Sequence, residues 1–505
     1  MEHAEHLLVL DAGGGGGRCH IFSARGDLVA SAYRPWEFFI PPEVPFGGSE
    51  FDPVLFWEIL GQVSREALAG AAIDPSSIKG IGVTSFRDGF VLLDRQDAEL
   101  YCGTNQDARG LVYAGQVAEM FPRLKEITGR VSLGLDAAAR LLWFRDNKPA
   151  LLEKAGKLLM VSDWIVFRLT GEYSTDPSNA SSSLLFDINS RDWSREIASA
   201  LEVERLLPPC LNGGQVAGRL TDAAARHLGL PAGIPVSAGI GDSQAGTMAC
   251  GCFEHGETAA IIGTTAPVQM VVQEPVADPS QRTWLGSHVL PGRWVLESNA
   301  GPAGSVYSWY CDHLSKVETE AARQTGKDLY QMVEQLAEEE APGFILAFLG
   351  PWIADMSTLP LPVRHAILAP ATGAAPSITG PRLARGIMEN IAFALAGNLK
   401  QLEEITGLQV GELKACGGMT RSRLMVRILS AATGRPVVVP RVREACSLGA
   451  AITASLAGGV YSSLEAAAAE MIRLEEPCLD REAAEEYREL FQQWLELQEK
   501  LPELA

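Results

Sequence analysis

The first strong pattern along the chain is a short apolar run, His6–Leu10, which predicts a buried strand. It ends at Asp11 and is followed closely by five glycines, Gly13–Gly17. A second stretch of strand-forming residues, Arg18–Ala24, comes next, and after a short turn a third runs over Leu28–Tyr33. The predicted order is therefore strand, glycine loop, strand, turn, strand.

A glycine loop followed by a hairpin excludes two common nucleotide-binding folds. The dinucleotide-binding fold needs a helix directly after the glycines, because the pyrophosphate rests on the helix N-terminus. Here a strand follows, and Arg18 stands where the third glycine of GxGxxG would fall. The sequence contains no GxxxxGK[ST], so a P-loop is excluded as well.

The same pattern recurs in weaker form half a chain later. Thr258–Ile262 predicts a strand, Gly263–Thr265 a small polar turn, and Ala266–Gln273 a second strand. Two glycine-turned hairpins, each opening one half of the chain, predict two similar lobes that grip a phosphate chain between them. Two similar lobes of this kind are typical of the actin, hexokinase and heat-shock ATPase architecture. We therefore predict an α/β fold with two actin/hexokinase-like (ribonuclease H-like) lobes and a cleft between them.

The remaining pattern fills both lobes with helices and short strands. The small, glycine-rich composition of Gly246–Gly256 predicts the lobe boundary, which divides the chain into residues 1–250 and 251–505. Further elements follow from periodicity and turn residues. The predicted helices are Asp52–Ala71, Ala137–Asp146, Asp163–Thr170, Gly449–Val460 and Asp480–Leu501, and the predicted strands are Ile78–Thr84 and Phe90–Asp94.

Composition and charge narrow the class of partner. The 505 residues are 47% hydrophobic and 21% charged, which is ordinary for a soluble enzyme of two to four domains. A net charge of -20 repels nucleic acid and anionic membrane surfaces, so we expect neither as a partner. No apolar run approaches the ~18 residues of a membrane span. The nine scattered cysteines lack zinc-site spacing and the N-terminus lacks a signal-peptide pattern, which together predict a cytoplasmic protein.

An ordered set of segments resembles the FGGY carbohydrate kinases from about residue 7 to about residue 495. In chain order they are Asp11–Gly13 with Arg18, Arg168–Ala180, Ser237–Asp242, Ile262–Thr265, Arg385–Asn390, Gly417–Leu424 and Glu444–Ala451. Each match is weak alone, and their number and order make the resemblance strong. It implies ATP-dependent, Mg²⁺-assisted phosphorylation of a hydroxyl on a small sugar, a polyol or a sugar-like signal, by a homodimer.

The resemblance also implies a role for particular residues. Asp242 would be the catalytic base and would share Mg²⁺ with Asp11, although an aspartate with this spacing also fits a helix N-cap. Arg18 would neutralise charge on the transferred phosphate. The residues implied to contact ATP and its phosphates are Gly13, Gly14, Gly15, Arg18, Gly263, Thr264, Thr265, Gly417, Gly418 and Ser422.

Four charged residues are candidate contacts for the phosphate acceptor. Arg87, Asp88 and Asp107, with Arg109 beside the last, can hydrogen-bond sugar hydroxyls, and the same residue types also form structural ion pairs. Their segments resemble the branch of the family that phosphorylates the autoinducer-2 precursor. Xylulokinases usually carry Met-His-Gly at 87–89, and glycerol kinases carry Asp-Gln at 242–243, so both substrates are less favoured.

One departure from the family pattern concerns the first phosphate loop. The family's Thr and Ser are Gly14 and Gly16 here, so two hydroxyl donors are missing. Glycine backbone N–H groups can still cradle phosphate. The departure nevertheless leaves an alternative open, a catalytically weak relative that senses a small molecule or acts as an interaction protein. Asp242 argues against it, because a protein without catalysis needs no base there.

Overall fold

The protein is built on two mixed β-sheets with helices between and around them. The computed structural model describes residues 5–356, 365–370 and 378–501. The strands are β1 (His6–Gly13), β2 (Gly16–Ser23), β3 (Leu28–Pro35), β4 (Ile78–Ser85), β5 (Phe90–Asp94), β6 (Glu99–Gly103), β7 (Ala155–Met160), β8 (Phe186–Asp187), β9 (Asp192–Trp193), β10 (Val216–Arg219), β11 (Pro235–Ser237), β12 (Ile240–Gly241), β13 (Thr258–Ile261), β14 (Thr265–Val272), β15 (Trp284–Ser287), β16 (Trp294–Pro302), β17 (Leu346–Phe348), β18 (Ala366–Leu368), β19 (Leu413–Cys416) and β20 (Val437–Val438).

The helices complete the two halves and connect their strands. They are α1 (Pro53–Ala71), α2 (Ala114–Met120), α3 (Leu124–Thr128), α4 (Ala137–Asn147), α5 (Pro149–Lys154), α6 (Val161–Thr170), α7 (Pro177–Ala180), α8 (Arg195–Ala200), α9 (Asp222–Leu228), α10 (Asp242–Ala249), α11 (Gly304–His313), α12 (Lys316–Thr325), α13 (Leu329–Glu338), α14 (Gly380–Thr406), α15 (Arg423–Thr433), α16 (Ala445–Ala457), α17 (Leu464–Met471) and α18 (Ala484–Lys500). Within the described residues, no helix has the length and apolar character needed to cross a membrane.

The first hairpin lies inside a seven-stranded sheet of order β10-β11-β4-β1-β2-β3, with β12 paired to β4. β1 runs antiparallel to β2 and parallel to β4, as expected when a hairpin opens an α/β half. The predicted strands are confirmed, and the predicted five-glycine loop is shorter than expected. Gly13 and Gly16 face each other at the ends of β1 and β2, so only Gly14 and Gly15 form the turn.

The second hairpin repeats this arrangement in a six-stranded sheet of order β15-β16-β14-β13-β19-β20. β13 runs antiparallel to β14 and parallel to β19, which is the relation of β1 to β2 and β4. The predicted two-lobed α/β fold is therefore confirmed, since each half is built from a hairpin and a parallel neighbour strand.

Two helices, α10 and α16, pack against each other in the layer between the sheets. A Cβ atom at Gly449 of α16 would lie 2.2 Å from the carbonyl oxygen of Ala245 in α10, so the two backbones touch. On its other side α16 packs on β4, where Gly80 and Gly82 leave room for the carbonyls of Ala454 and Ala450. Close approach of backbones explains why glycine is needed at these positions.

Local sequence signals account for several helix ends. Asp52 caps α1, accepting hydrogen bonds from the N–H groups of Val54 and Leu55 at 2.8 and 3.1 Å, and Pro53 occupies the first helical position. The predicted helix Gly449–Val460 corresponds to α16, which begins four residues earlier. The predicted boundary segment Gly246–Gly256 is partly helical, because Gly246 belongs to α10.

Candidate active site

Asp242 lies at the start of α10, directly after β12, which pairs with the end of β4. Gly241 occupies the N-cap position, so the alternative interpretation of Asp242 as an N-cap is wrong. Its Oδ1 accepts hydrogen bonds from the N–H and the hydroxyl of Ser243, at 2.7 and 3.2 Å. The carboxylate keeps some solvent contact, but the surrounding protein desolvates it. This desolvation is the main reason that the pKa of Asp242 is raised to about 6. The nearby Asp11 carboxylate also raises this pKa, whereas the Arg87 guanidinium lowers it.

Asp11 and Arg18 face each other across the first hairpin because β1 and β2 pair in that register. Arg18 Nη1 lies 4.0 Å from Asp11 Oδ2, and the guanidinium also sits over the Tyr33 ring at 5.2 Å. Ser447 of α16 donates its hydroxyl to Asp11 Oδ2 at 3.0 Å. Asp11 is close enough to Asp242 for its charge to raise the pKa of that carboxyl. The fold thus gathers two carboxylates and an arginine at one end of the first sheet.

The first hairpin lacks the family's two loop hydroxyls. There is space for a side chain at Gly14 but not at Gly16. A Cβ atom at Gly14 or Gly15 would meet no atom within 4 Å. At Gly16 it would lie 2.4 Å from the Tyr33 ring and 2.5 Å from the carbonyl oxygen of Arg34. A threonine therefore fits at position 14, whereas a side chain at position 16 requires β3 to move.

The second hairpin turn adjoins the predicted adenosine segment. The N–H of Met419 donates to the carbonyl of Ile262 at 3.2 Å, next to Gly263. Gly417 has a φ of +99°, and a Cβ atom there would lie 2.5 Å from the same carbonyl oxygen, so this approach requires glycine. Thr264, Thr265 and Gly418 are exposed beside this contact.

Ser422, another predicted nucleotide contact, lies at the start of α15. Its side chain caps α15 by accepting a hydrogen bond from the N–H of Met425 at 3.0 Å.

At the first hairpin, the indole of Trp36 donates to the carbonyl of Gly13 at 3.1 Å, which fixes the end of β1. Ser422 and Gly13 therefore each have a structural role in addition to any contact with a nucleotide.

On the acceptor side, Arg87 forms a two-pronged ion pair with Glu297 of β16. Its Nη1 and Nη2 lie 2.7 and 3.0 Å from the two carboxylate oxygens, and both side chains are nearly buried. Glu297 also accepts a hydrogen bond from Gln269 of β14 at 2.6 Å. The sequence alone offers no support for Glu297 as a site residue, although an acidic residue among the apolar positions at the start of β16 is a signal that could have supported it.

Asp88 continues the same group with a second arginine. Its carboxylate accepts from Arg130 Nη1 at 3.2 Å, and its N–H donates to the hydroxyl of Ser182 at 3.3 Å. Asp88 has a φ of +63°, a left-handed conformation that costs a non-glycine residue free energy and is enriched at functional sites. Arg130 lies over the ring of Trp284, with its guanidinium carbon 4.1 Å from the ring centre.

Arg87, Arg130 and Glu297 line a small pocket next to Asp242, and Asp88 adjoins it through its ion pair with Arg130. Its polar and aromatic lining is Arg87, Arg130, Ser181, Ser182, Gln244, Trp284 and Glu297. The pocket adjoins the start of α10, since a Cβ atom at Gly241 would lie 3.0 Å from Gln244 Oε1 and 3.3 Å from Arg87 Cγ. Sequence reasoning missed Arg130 and Trp284, which lie outside the matching segments, and Gln244, which lies two residues after Asp242 in α10.

Comparison with known proteins gives the family. Residues 6–249 match the N-terminal domain of the FGGY family of carbohydrate kinases, and residues 258–458 match its C-terminal domain. The chain belongs to the FGGY family of carbohydrate kinases. Membership makes it a carbohydrate kinase and implies ATP as the phosphoryl donor.

Relatives in sequence and structure agree with this assignment. The FGGY kinase described here is 32% identical over 486 residues to an autoinducer-2 kinase of Yersinia enterocolitica, covering 93% of this chain and 90% of the relative. It is equally identical to an autoinducer-2 kinase of Salmonella paratyphi B, covering 94% and 90%. Among solved structures, a xylulose kinase from Rhodospirillum rubrum (24% identity, TM-score 0.79) and a gluconate kinase from Lactobacillus acidophilus (19%, 0.83) share the fold over 99% of this chain and 99% and 98% of theirs.

Asp107 and Arg109 of this FGGY kinase lie in a buried ion-pair network and are not part of the pocket lining. Arg109 Nε lies 2.9 Å from both carboxylate oxygens of Asp107, and the hydroxyl of Tyr101 donates to Asp107 at 2.7 Å. Arg109 also pairs with Glu50. The Asp107 side chain is fully buried and its partners are protein groups. Its contact with an acceptor stays a prediction.

Proposed function

We propose that this FGGY kinase transfers the γ-phosphoryl group of ATP to a hydroxyl of a small sugar, a polyol or a sugar-like signal, and that the autoinducer-2 precursor is the first acceptor to test. The acceptor choice rests on the 32% identity to autoinducer-2 kinases over most of both chains. In this proposal residues 1–250 supply the first phosphate loop and part of the acceptor pocket. Residues 251–505 supply the rest of the nucleotide site and add Trp284 and Glu297 to the acceptor pocket, which the sequence had assigned to the first half alone.

The position and pKa of Asp242 carry the proposal. Its carboxylate stands between the polar pocket and Asp11, where an acceptor hydroxyl and a phosphate would meet. A pKa of about 6 keeps Asp242 ionised at neutral pH yet basic enough to take the proton of an attacking hydroxyl. A base of this kind contributes about 10²–10⁴-fold to the rate. Arg18, 4.0 Å from Asp11, is placed to balance charge on the transferred group.

Asp11 and Asp242 are a suitable donor set for Mg²⁺, which prefers carboxylate oxygens and keeps several waters. The ion would supply neutralisation of the phosphate charges. For the nucleotide, the open turn at Gly14 and the exposed Thr264, Thr265 and Gly418 offer backbone and hydroxyl groups to phosphates. We propose a cytoplasmic location from the cysteine usage and the N-terminal sequence, and a homodimer from the resemblance to the family.

The test is ADP release with Mg·ATP across pentuloses, hexuloses, polyols, aldonates and the autoinducer-2 precursor. We expect strong turnover with at least one compound and loss of about 10²-fold or more in Asp242→Asn. The variant keeps the size and the Ser243 contacts of Asp242 but cannot act as a base. Equal turnover in Asp242→Asn and the natural protein would reject Asp242 as the base.

The alternative function is a sensor that binds the small molecule without efficient transfer. The closed position at Gly16 favours it, because this chain has no space there for the family's hydroxyl. Calorimetric titration with ATP separates the two proposals. Binding of ATP together with turnover of one acceptor supports the kinase, whereas acceptor binding without ATP binding supports the sensor.

A further inference from the structure

Every arginine in the acceptor pocket is already neutralised by a carboxylate of the protein. Arg87 is held by Glu297, with side-chain exposures of 12% and 3%, and Arg130 is held by Asp88, with exposures of 8% and 24%. Asp242 beside Arg87 adds a further carboxylate next to the pocket. Among the described residues that line it, the pocket therefore has charged groups of both signs but no uncompensated positive charge for a ligand.

The spare hydrogen-bonding capacity of the pocket is uncharged. Gln244 Oε1 and Trp284 Nε1 are both buried and have no hydrogen-bond partner among the described residues. One is an acceptor and the other a donor. A buried polar group without a partner costs free energy, so a site that leaves one of each open is suited to a ligand that supplies both. A hydroxyl group does so, since it donates and accepts.

We infer that this pocket selects uncharged polyhydroxylated acceptors, and that Glu297 and Asp88 are the residues that exclude sugar acids. The inference rests on the proposed function and specifies its acceptor class. A carboxylate entering the pocket would lose its hydration beside Glu297 in the lining and near Asp88 and Asp242 next to it, while both arginines remain paired with their partners. A neutral polyol or ketose brings no such charge and can satisfy Gln244 and Trp284.

The fold itself does not decide this choice. A gluconate kinase and a xylulose kinase share this fold with TM-scores of 0.83 and 0.79. Their names differ in the charge of the sugar, while their backbones match this chain to a similar degree. Selection between neutral and acidic acceptors therefore lies in side chains, and here the ion pairs of Arg87 and Arg130 are the side chains that set the charge of the pocket.

The test uses matched pairs that differ only in the charged group: pentitols with pentonates, hexitols with hexonates, and ketohexoses with 2-keto-hexonates, together with the autoinducer-2 precursor. Binding is measured by calorimetry without nucleotide, and ADP release is measured with Mg·ATP. We expect the tightest neutral compound to bind at least about tenfold more tightly than the tightest acid. An acid that binds equally well or better, or no binding by either class, overturns the inference. Neutral-compound binding without ADP release rejects the kinase proposal and leaves the acceptor class standing.

Variants then test which residues exclude the acids. Glu297→Gln leaves Arg87 without its carboxylate and should raise the acid-to-neutral affinity ratio by about tenfold or more. Asp88→Asn, at a less buried position, should raise the ratio in the same direction even if the first variant folds poorly. The matched control is Glu389→Gln, which breaks a buried pair with Arg385 (2.9 Å) outside the pocket lining. An unchanged ratio in both pocket variants, or an equal change in the control, would overturn the assignment.

Discussion

Restoring the hydroxyls of the first phosphate loop should have opposite results at its two positions. Gly14 lies at the open tip of the hairpin, where an added Cβ meets nothing within 4 Å. Gly16 lies under the ring of Tyr33, where an added Cβ would approach a ring carbon to 2.4 Å and the carbonyl oxygen of Arg34 to 2.5 Å. The ring can rotate away, but the carbonyl is backbone and can move only with β3. We expect Gly14→Thr to be tolerated and Gly16→Ser to destabilise the protein.

The magnitudes follow from these contacts. Gly14→Thr creates no clash, so its effect on unfolding should stay within about 0.5 kcal/mol, as for most surface changes. One added hydrogen bond to a phosphate is worth about 0.5–1.5 kcal/mol, which corresponds to about a twofold to tenfold lower Kd for ATP. Gly16→Ser introduces overpacking, which typically costs about 1–3 kcal/mol, or about 2–4 °C of Tm for each kcal/mol in a domain of this size.

Thermal unfolding and calorimetric ATP titration of the two variants check these values. Gly14→Val is the matched control, because valine has the shape of threonine without the hydroxyl. If Gly14→Val tightens ATP binding as much as Gly14→Thr, the gain does not come from a hydrogen bond. If Gly16→Ser melts at the temperature of the natural protein, the packing argument for position 16 is refuted.

Three further predictions concern buried acids. Because burial raises the pKa of Asp242 to about 6, kcat/KM should fall as pH drops through 6 and level off above it; a flat profile from pH 5 to 8 would count against Asp242 as the base. Asp107→Asn should cost about 3–5 kcal/mol in chemical unfolding, since it leaves Arg109 poorly compensated, while the acceptor KM of the folded enzyme stays constant; a raised KM without lost stability would instead place Asp107 at the acceptor. Burial also raises the pKa of Asp176 from 3.8 to about 6, so the stability linked to its protonated form is present below about pH 4 and lost as pH rises through 6. The stability of Asp176→Asn relative to the natural protein should therefore increase by about 1.5 kcal/mol between pH 5 and 7.5, out of about 3 kcal/mol for the whole titration, and a Tm difference that does not grow with pH would contradict this.

The sequence predicted the elements whose signals are local. Glycine turns between apolar runs indicated both hairpins, and the pairing of Asp11 with Arg18 follows directly once the hairpin register is known. The acceptor pocket was only half predicted, because its contacts join distant segments. Arg87 and Glu297 are 210 residues apart in the chain, and no spacing rule connects them. Burial was equally invisible, so Asp107 resembled an acceptor contact as closely as Asp88 did.

The position of α16 has a consequence for how the chain is made. This helix belongs to the second half of the sequence, yet it covers one face of β1 and β4 and shares a buried cluster with Leu7 and Val9. During synthesis at ~5–20 residues per second, that apolar face stays uncovered for on the order of tens of seconds before α16 has been made. A fragment that ends near residue 250 would never receive it. The first half can therefore bury this face only after the ribosome has made most of the second.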